Sequence, residues 1–287
     1  MTKKQMSGYG NTGKSFTPVM GFTDVLAAGS YSVKEDMSGN LHFIPHELKS
    51  NELIFTDNSL AQKIIGEFKQ FLGLRDKYKK YGFVHKRAFL LHGPPGNGKT
   101  SVLVQLSRLM AEQYDGITIH LAMNDSPDEC AAAIRQLHSL QPERPVLVLM
   151  EEVDGLYRNW SSDLLTLLDG GEDVDNVFFV ATTNFLDRLD ARMRDRPSRI
   201  DTLIEVGPPS AEVRAEFLRR KGVDAKTVEA LVKSSEGLSF AHLKEFIIAH
   251  VILEQPLKDV TKRLKQMGST GDDESDDDDD DYDYNDD

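Results

Sequence analysis

Apolar residues along this chain follow two rhythms, and the change comes near Asp57. Residues 1 to about 30 are rich in Gly, Ser and Thr with few apolar clusters, which predicts a loosely ordered and partly disordered N-terminal region. Two short β-prone runs, 31–36 and 41–48, flank Ser38-Gly39-Asn40 and predict a hairpin. After it, Asp57-Asn58-Ser59 offers a helix cap, and Leu60, Ile64, Ile65, Phe68, Phe71 and Leu72 recur at helical spacing. Apolar runs then fall at 88–91, 117–122, 146–150, 177–181 and 203–206. Helical patterns follow most of them, at about 99–113, 127–139, 161–169 and 186–194. Short buried strands alternating with helices predict an α/β fold: a five-stranded parallel sheet flanked by helices on both faces. Past Pro208-Pro209 no strand pattern returns, and 210–267 read as helices only. The expected organisation is an N-terminal region 1–50, a large α/β domain 51–207, a small all-helical domain 208–268 and a tail 269–287.

Composition changes this picture at one place. The chain has 287 residues and a net charge of −13. Residues 272–287 hold twelve acids and no base, so the rest of the chain sums to only −1. Such a run repels itself and predicts a solvated, disordered acidic tail. With 39% apolar residues the remainder is long enough to bury a core. No apolar run approaches the roughly 18 residues that span a bilayer, and the N-terminus lacks an apolar signal region. The expectation is therefore a cytoplasmic protein with no membrane association. The single cysteine, Cys130, rules out an internal disulfide and fits a reducing compartment.

The chemistry sits in short strings. The pattern G-x-x-x-x-G-K-[ST] occurs twice, at 8–15 (GYGNTGKS) and 93–100 (GPPGNGKT). Its physics is a strand ending in a glycine-rich turn whose backbone N–H groups wrap phosphate oxygens, followed by a helix that aims its positive end at the anion. Only the second copy has that context. Residues 88–91 form the apolar run before it, and Val102, Leu103, Leu106, Leu109 and Met110 mark one helical face after it. A hydrolytic site of this kind needs a second acidic element, expected after a buried strand lying beside the first. Residues 146–154 (VLVLMEEVD) supply five apolar residues running into Glu151, Glu152 and Asp154.

These strings, followed by 177–201 (VFFVATTNFLDRLDARMRDRPSRID), resemble the AAA family of ring-forming ATPases, a branch of the P-loop NTPases, over about residues 50–250. The lead-in 60–82 and the TTN-x-x-D-R-L-D string look most like the subgroup of the mitochondrial complex III assembly chaperone, without its membrane span. The resemblance implies ATP and Mg²⁺ as cofactors. It implies that Gly93, Pro94, Pro95, Gly96, Asn97, Gly98, Lys99, Thr100 and Ser101 cradle the nucleotide, with Lys99 on the β- and γ-phosphates. Thr100 and Glu151 would hold the metal. Glu152 falls at the catalytic glutamate, Asn184 at the residue that places the attacking water, and Arg196 and Arg199 at the arginines that reach a neighbouring subunit. The helical domain becomes a lid over the nucleotide. The partners implied are ATP and ADP, further copies of the chain in a hexameric ring, and a macromolecular substrate, protein in preference to nucleic acid.

Three departures bear on this reading. Glu151 stands where the family has Asp, and its extra methylene carries the carboxylate about 1.5 Å further out. Residues 123–130 have neither the aromatic residue nor the glycine of the pore-facing loop in protein-threading members. No arginine occurs in 237–243, where some relatives place one in the lid. Two other readings therefore stand beside a remodelling ATPase: a nucleotide-gated assembly module with little turnover, and an ATPase acting on DNA. For the latter, bases and aromatics mix in 75–81 and at Lys86-Arg87. His85, His92 and His242 are scattered and read as structural.

Overall fold

The computed structural model describes residues 8–11, 16–19, 25–47, 59–170 and 174–269. The acidic tail, the Asp57-Asn58 part of the helix cap, and Lys14 and Ser15 of the first phosphate-loop string lie outside them. In chain order the strands are β1 (Gly8–Asn11), β2 (Phe16–Val19), β3 (Gly29–Glu35), β4 (Leu41–Pro45), β5 (Lys86–His92), β6 (Ile117–His120), β7 (Val146–Met150), β8 (Val177–Thr183) and β9 (Thr202–Glu205). The helices are α1 (Ser59–Leu72), α2 (Arg75–Lys80), α3 (Lys99–Tyr114), α4 (Pro127–Leu140), α5 (Val153–Asp169), α6 (Ala191–Arg194), α7 (Ala211–Arg220), α8 (Ala225–Ser234), α9 (Phe240–Phe246) and α10 (Leu257–Ser269). The chain divides into two compact units, one of residues 1–53, 63–92 and 100–204, the other of 54–62, 93–99 and 205–287.

The sheet has seven strands rather than five, in the order β4-β3-β6-β7-β8-β5-β9. The two extra strands come from the hairpin. β3 pairs antiparallel with β4, and its other edge pairs in parallel with β6 from Gly29↔Ile117 to Ser32↔His120. Sequence periodicity marks strands but not partners, so it registered the hairpin without placing it on the sheet. The turn is held by Asp36, whose carboxylate accepts from Ser38 N at 2.8 Å and Asn40 N at 2.9 Å.

The N-terminal region also differs from expectation, because β1 and β2 form a separate antiparallel pair inside residues 1–30. Such a ribbon needs backbone hydrogen bonds rather than apolar clusters, so composition alone does not reveal it. It settles the context of the first phosphate-loop string, which is followed by strand β2 and not by a helix.

The central strands β7 and β8 are buried at every position. One core holds Ile119, Val148, Phe179, Leu156, Leu164 and Leu168. Elsewhere in the same unit Phe178 takes Phe68, Phe71 and Phe89 edge-on at centroid distances of 4.9–5.1 Å. Each such side chain contributes about 1.5–3 kcal/mol on burial. His85, fully buried, stacks on Phe71 at 3.9 Å and is structural.

Two expected helices are drawn differently. The pattern at 161–169 is the second half of α5, which begins at Val153 and breaks at Trp160 (φ −136°, ψ 38°). The pattern at 186–194 is a 3-10 turn, Leu186–Arg188, and the one-turn α6. In the second unit, α7–α10 and a π-helical turn at Ile247–Ile252 surround Phe217, Leu218, Leu231, Leu243 and Phe246. Ser210 and Asp224 cap α7 and α8 through Val213 N and through Lys226 N and Thr227 N.

Candidate active site

β5 ends at His92, and the glycine-rich turn follows it into α3, whose first turn carries no acid. The turn belongs to the helical unit. Gly93 (φ +139°) lies so close to the chain at Val206 that a Cβ would sit 2.5 Å from the Val206 carbonyl oxygen. Gly96 (φ +78°) accepts a hydrogen bond from Phe240 N at 3.1 Å, and a Cβ there would meet the Ala241 methyl at 2.8 Å. Both positions require glycine. Asn97 is buried and donates to Val206 O at 3.2 Å, while its own carbonyl oxygen is buried without a partner. Gly98 packs beside Phe240, and Pro94 and Pro95 are exposed. Lys99 folds back over the turn, donating to Gly93 O and to Pro94 O (3.0 Å), and burial pushes its ammonium pKa down. Among the described residues its charge meets these carbonyls and no carboxylate, a state that an anion in the turn would relieve.

The acids sit in the sheet unit. Thr100, exposed at the head of α3, donates to Glu151 Oε2 at 2.9 Å. The longer side chain at position 151 thus still meets the hydroxyl. Ser101, the next residue, is half-buried. Glu152 caps α5 in the left-handed region (φ +50°, ψ +52°) and leaves its side chain exposed. Its N–H donates to Thr182 Oγ1 at 3.3 Å. Thr183 donates to Asp154 Oδ1 at 2.7 Å and accepts from Phe185 N at 3.0 Å. Asn184, half-buried, follows directly.

Strand register explains this grouping. β8 lies between β7 and β5, with Met150↔Ala181 on one side and His92↔Thr183 on the other. The expectation that the acidic strand lies beside the phosphate-loop strand is therefore corrected. The inserted strand brings Thr182, Thr183 and Asn184 level with the ends of both neighbours. Sequence reasoning missed the two threonines; the signal was a polar Thr-Thr-Asn at the end of an otherwise apolar run.

Beyond α6, Arg196 and Arg199 both meet Asp169 at the end of α5, but differently. Arg199 is buried. It binds Asp169 through two nitrogens, at 3.0 and 2.8 Å, and donates to Arg192 O at 2.7 Å. These bonds hold the Asp169 carboxyl below its ordinary pKa. Arg196 is mostly exposed and lies 3.5 Å from the same carboxylate. Cys130 has no place in the chemistry, since burial pushes its thiol up to about 12.

The donor set fits nucleotide and magnesium. Mg²⁺ takes hard oxygen ligands, usually one or two carboxylates with phosphates and waters, and the Thr100 hydroxyl and Glu151 carboxylate are already in contact.

A family model described as "ATPase family associated with various cellular activities (AAA)" matches residues 89–208. Among curated proteins, the chain is 33% identical over 215 residues to "26S proteasome regulatory subunit 8 homolog" of Schizosaccharomyces pombe, covering 64% of this chain and 51% of that protein. It is 32% identical over 195 residues to "Proteasome-activating nucleotidase" of Aeropyrum pernix, covering 60% and 46%. It is 27% identical over 235 residues to the protein of that name in Saccharolobus islandicus, covering 70% and 58%. The chain spans about half the length of these relatives. Their names are proteasomal, and the suggested affinity to the complex III assembly subgroup finds no support in them. Among the described residues no helix is long and apolar enough to cross a membrane. The match to the AAA family model thus covers the segment that holds the glycine-rich turn, Glu151, Glu152, Asn184, Arg196 and Arg199.

Proposed function

We propose that the chain is an Mg²⁺-dependent ATPase that assembles with copies of itself into a ring, a hexamer, and remodels a protein partner. The observation that carries the reading is the 2.9 Å contact from Thr100 to Glu151, which joins the first turn of α3 to the acidic strand despite the Asp-to-Glu departure. Bound magnesium would neutralise charge developing on the transferred phosphoryl group. Lys99 exchanges its carbonyl partners for the terminal phosphates, and the N–H groups of residues 96–101 bind phosphate oxygens at the helix head. Glu152 takes the proton of the attacking water, and Asn184 orients that water. Arg196, exposed, serves a neighbouring subunit's site, whereas the buried fork of Arg199 supports a holding role. The proteasomal names of the relatives favour protein over nucleic acid as the remodelled partner. The helical unit would act as the lid.

Two measurements test this. Lys99→Ala should weaken ATP binding at least tenfold, since a charge-assisted hydrogen bond is worth about 1.5–3 kcal/mol, whereas Lys14→Ala should leave it unchanged. Equal losses in the two variants would overturn the assignment of the phosphate loop. Arg196→Ala subunits mixed with Glu152→Gln subunits should regain turnover, because each supplies what the other lacks. A strictly monomeric chain with full turnover would refute the ring, and ATP binding without turnover would favour the nucleotide-gated module.

A further inference from the structure

Lys86 is a lysine used as internal scaffolding. It is the first residue of β5, and its ammonium donates to two backbone carbonyls, Leu168 O in the last turn of α5 and Ser198 O in the loop between Arg196 and Arg199. Its methylenes lie along Gly170, where a Cβ would come 3.0 Å from Lys86 Cδ. Two residues further along β5 the same loop is tied again. Ala88 N donates to Asp201 Oδ2 at 2.6 Å, and Asp201 N donates to Ala88 O at 2.8 Å. Asp169 fastens the middle of the loop, accepting from Ser198 Oγ at 3.3 Å and from Arg199. Residues 198–201 are thus pinned at both ends to the strand that leads into the phosphate loop. Arg196, just before them, keeps 57% of its side chain exposed, with Asp169 as its ion-pair partner.

We propose that Lys86 is a positioning residue that presents Arg196 outward by locking its loop to β5 and to the C-terminal end of α5. The inference rests on the reading of Arg196 as the group that serves a neighbouring site. Capping α5 does not by itself call for a lysine, because Gly170 already ends the helix with positive φ. The second bond, to Ser198 O, is what the lysine adds. Burial of the ammonium is a cost: it pushes the Lys86 pKa down, with Arg199 opposing the charge and Asp201 and Asp169 supporting it. Arg87, next in the strand, lies 3.8 Å from Asp201 and shares that acid.

The test compares Lys86→Met with Lys86→Arg in the full chain. Lys86→Met keeps the length and removes the donors, and should lower kcat about tenfold with the KM for ATP within about twofold, as expected when a remote change misplaces a catalytic group. Mixing with Glu152→Gln subunits should restore the lost turnover, since those subunits offer a correctly held Arg196. Lys86→Arg keeps donors and charge. It should retain turnover, and its kcat should hold to higher pH than that of the wild type, whose half-buried ammonium loses its proton more readily than an exposed lysine. Should Lys86→Met fail to fold, the pH profiles of the wild type and Lys86→Arg still decide the matter, and identical alkaline limbs would overturn the proposal. So would a loss of turnover that mixing does not rescue, or a KM that rises in step. If Arg196→Ala itself keeps full turnover, the underlying reading fails. If Arg196→Ala is inactive while Lys86→Met is fully active, only the role of Lys86 fails.

Discussion

Helix α5 is capped at its start by Glu152, whose backbone is left-handed and whose carboxylate is exposed, and it ends at Asp169, whose carboxylate takes a two-nitrogen fork from Arg199, the Ser198 hydroxyl and the Arg196 charge. The kink at Trp160 lies between, so the two ends are separate helical segments, although both bury side chains in the same core. At the first end the backbone is strained and the side chain faces solvent. At the second the side chain is saturated and the following residue, Gly170, adopts its positive φ without a Cβ. A carboxylate that must meet a ligand keeps its lone pairs for it, and strain there persists because the neighbouring strand holds the backbone. A carboxylate that holds a loop spends its lone pairs within the protein.

The largest expected effect breaks the comparison at its N-terminal end. Glu152→Gln should lower ATP turnover by about 10²–10⁴-fold, the usual worth of a positioned general base, with nucleotide binding kept. The unfolding midpoint should barely move, since the exposed carboxylate contributes little to the fold. A variant that unfolds earlier but still turns over would reverse the roles assigned to the two ends.

Asp169→Asn is the converse test. It keeps the shape but removes the charge opposite the buried Arg199, and should destabilise the protein by about 1–3 kcal/mol. The dependence on pH has a definite sign. Arg199 holds the folded-state pKa of Asp169 below its ordinary value of 3.8, so the stabilisation is present above that value and lost as pH falls through the folded one. Denaturant melts of the wild type and Asp169→Asn should differ at pH 7 and converge below about pH 4. A gap that stays constant down to pH 3 would mean that the charge is not what matters. Arg196→Ala, at an exposed pair, should cost less than about 1 kcal/mol.

Legibility in the sequence followed the same division. The glycine-rich turn, Glu151, Glu152 and Asn184 stand out in the strings because the chemistry proposed for them fixes residue type and spacing locally. Strands β5 to β8 could be read because buried strands are continuous apolar runs. Asp169, Lys86 and Asp201 could not, since their partners lie 30, 82 and 113 residues away and are largely backbone atoms, which leave no trace in residue type. The order of the strands was hidden for the same reason. That β8 separates β7 from β5 is a property of pairing, and period-2 or period-3.6 patterns carry no information about it. Arg196 and Arg199 looked equivalent as neighbours in one string, and burial divides them.

The smallest expected effect concerns the backbone at the two flanks. Glu152 and Gly170 both have positive φ, at +50° and +64°, yet only one is glycine. For a residue with a Cβ the left-handed conformation costs roughly 1–2 kcal/mol, while glycine loses roughly 0.5–1 kcal/mol more on folding through its freer unfolded chain. Glu152→Gly should therefore range from neutral to about 1.5 kcal/mol more stable than the wild type while abolishing turnover, the exchange expected where strain serves function. Gly170→Ala should go the other way, by about 1 kcal/mol or more, because it adds the same strain and a Cβ 3.0 Å from Lys86 Cδ. Matched thermal melts of the two variants would show opposite shifts. If Glu152→Gly melted below the wild type, the Glu152 side chain would be holding the fold after all, and the contrast between the two ends of α5 would collapse at the residue where it is sharpest.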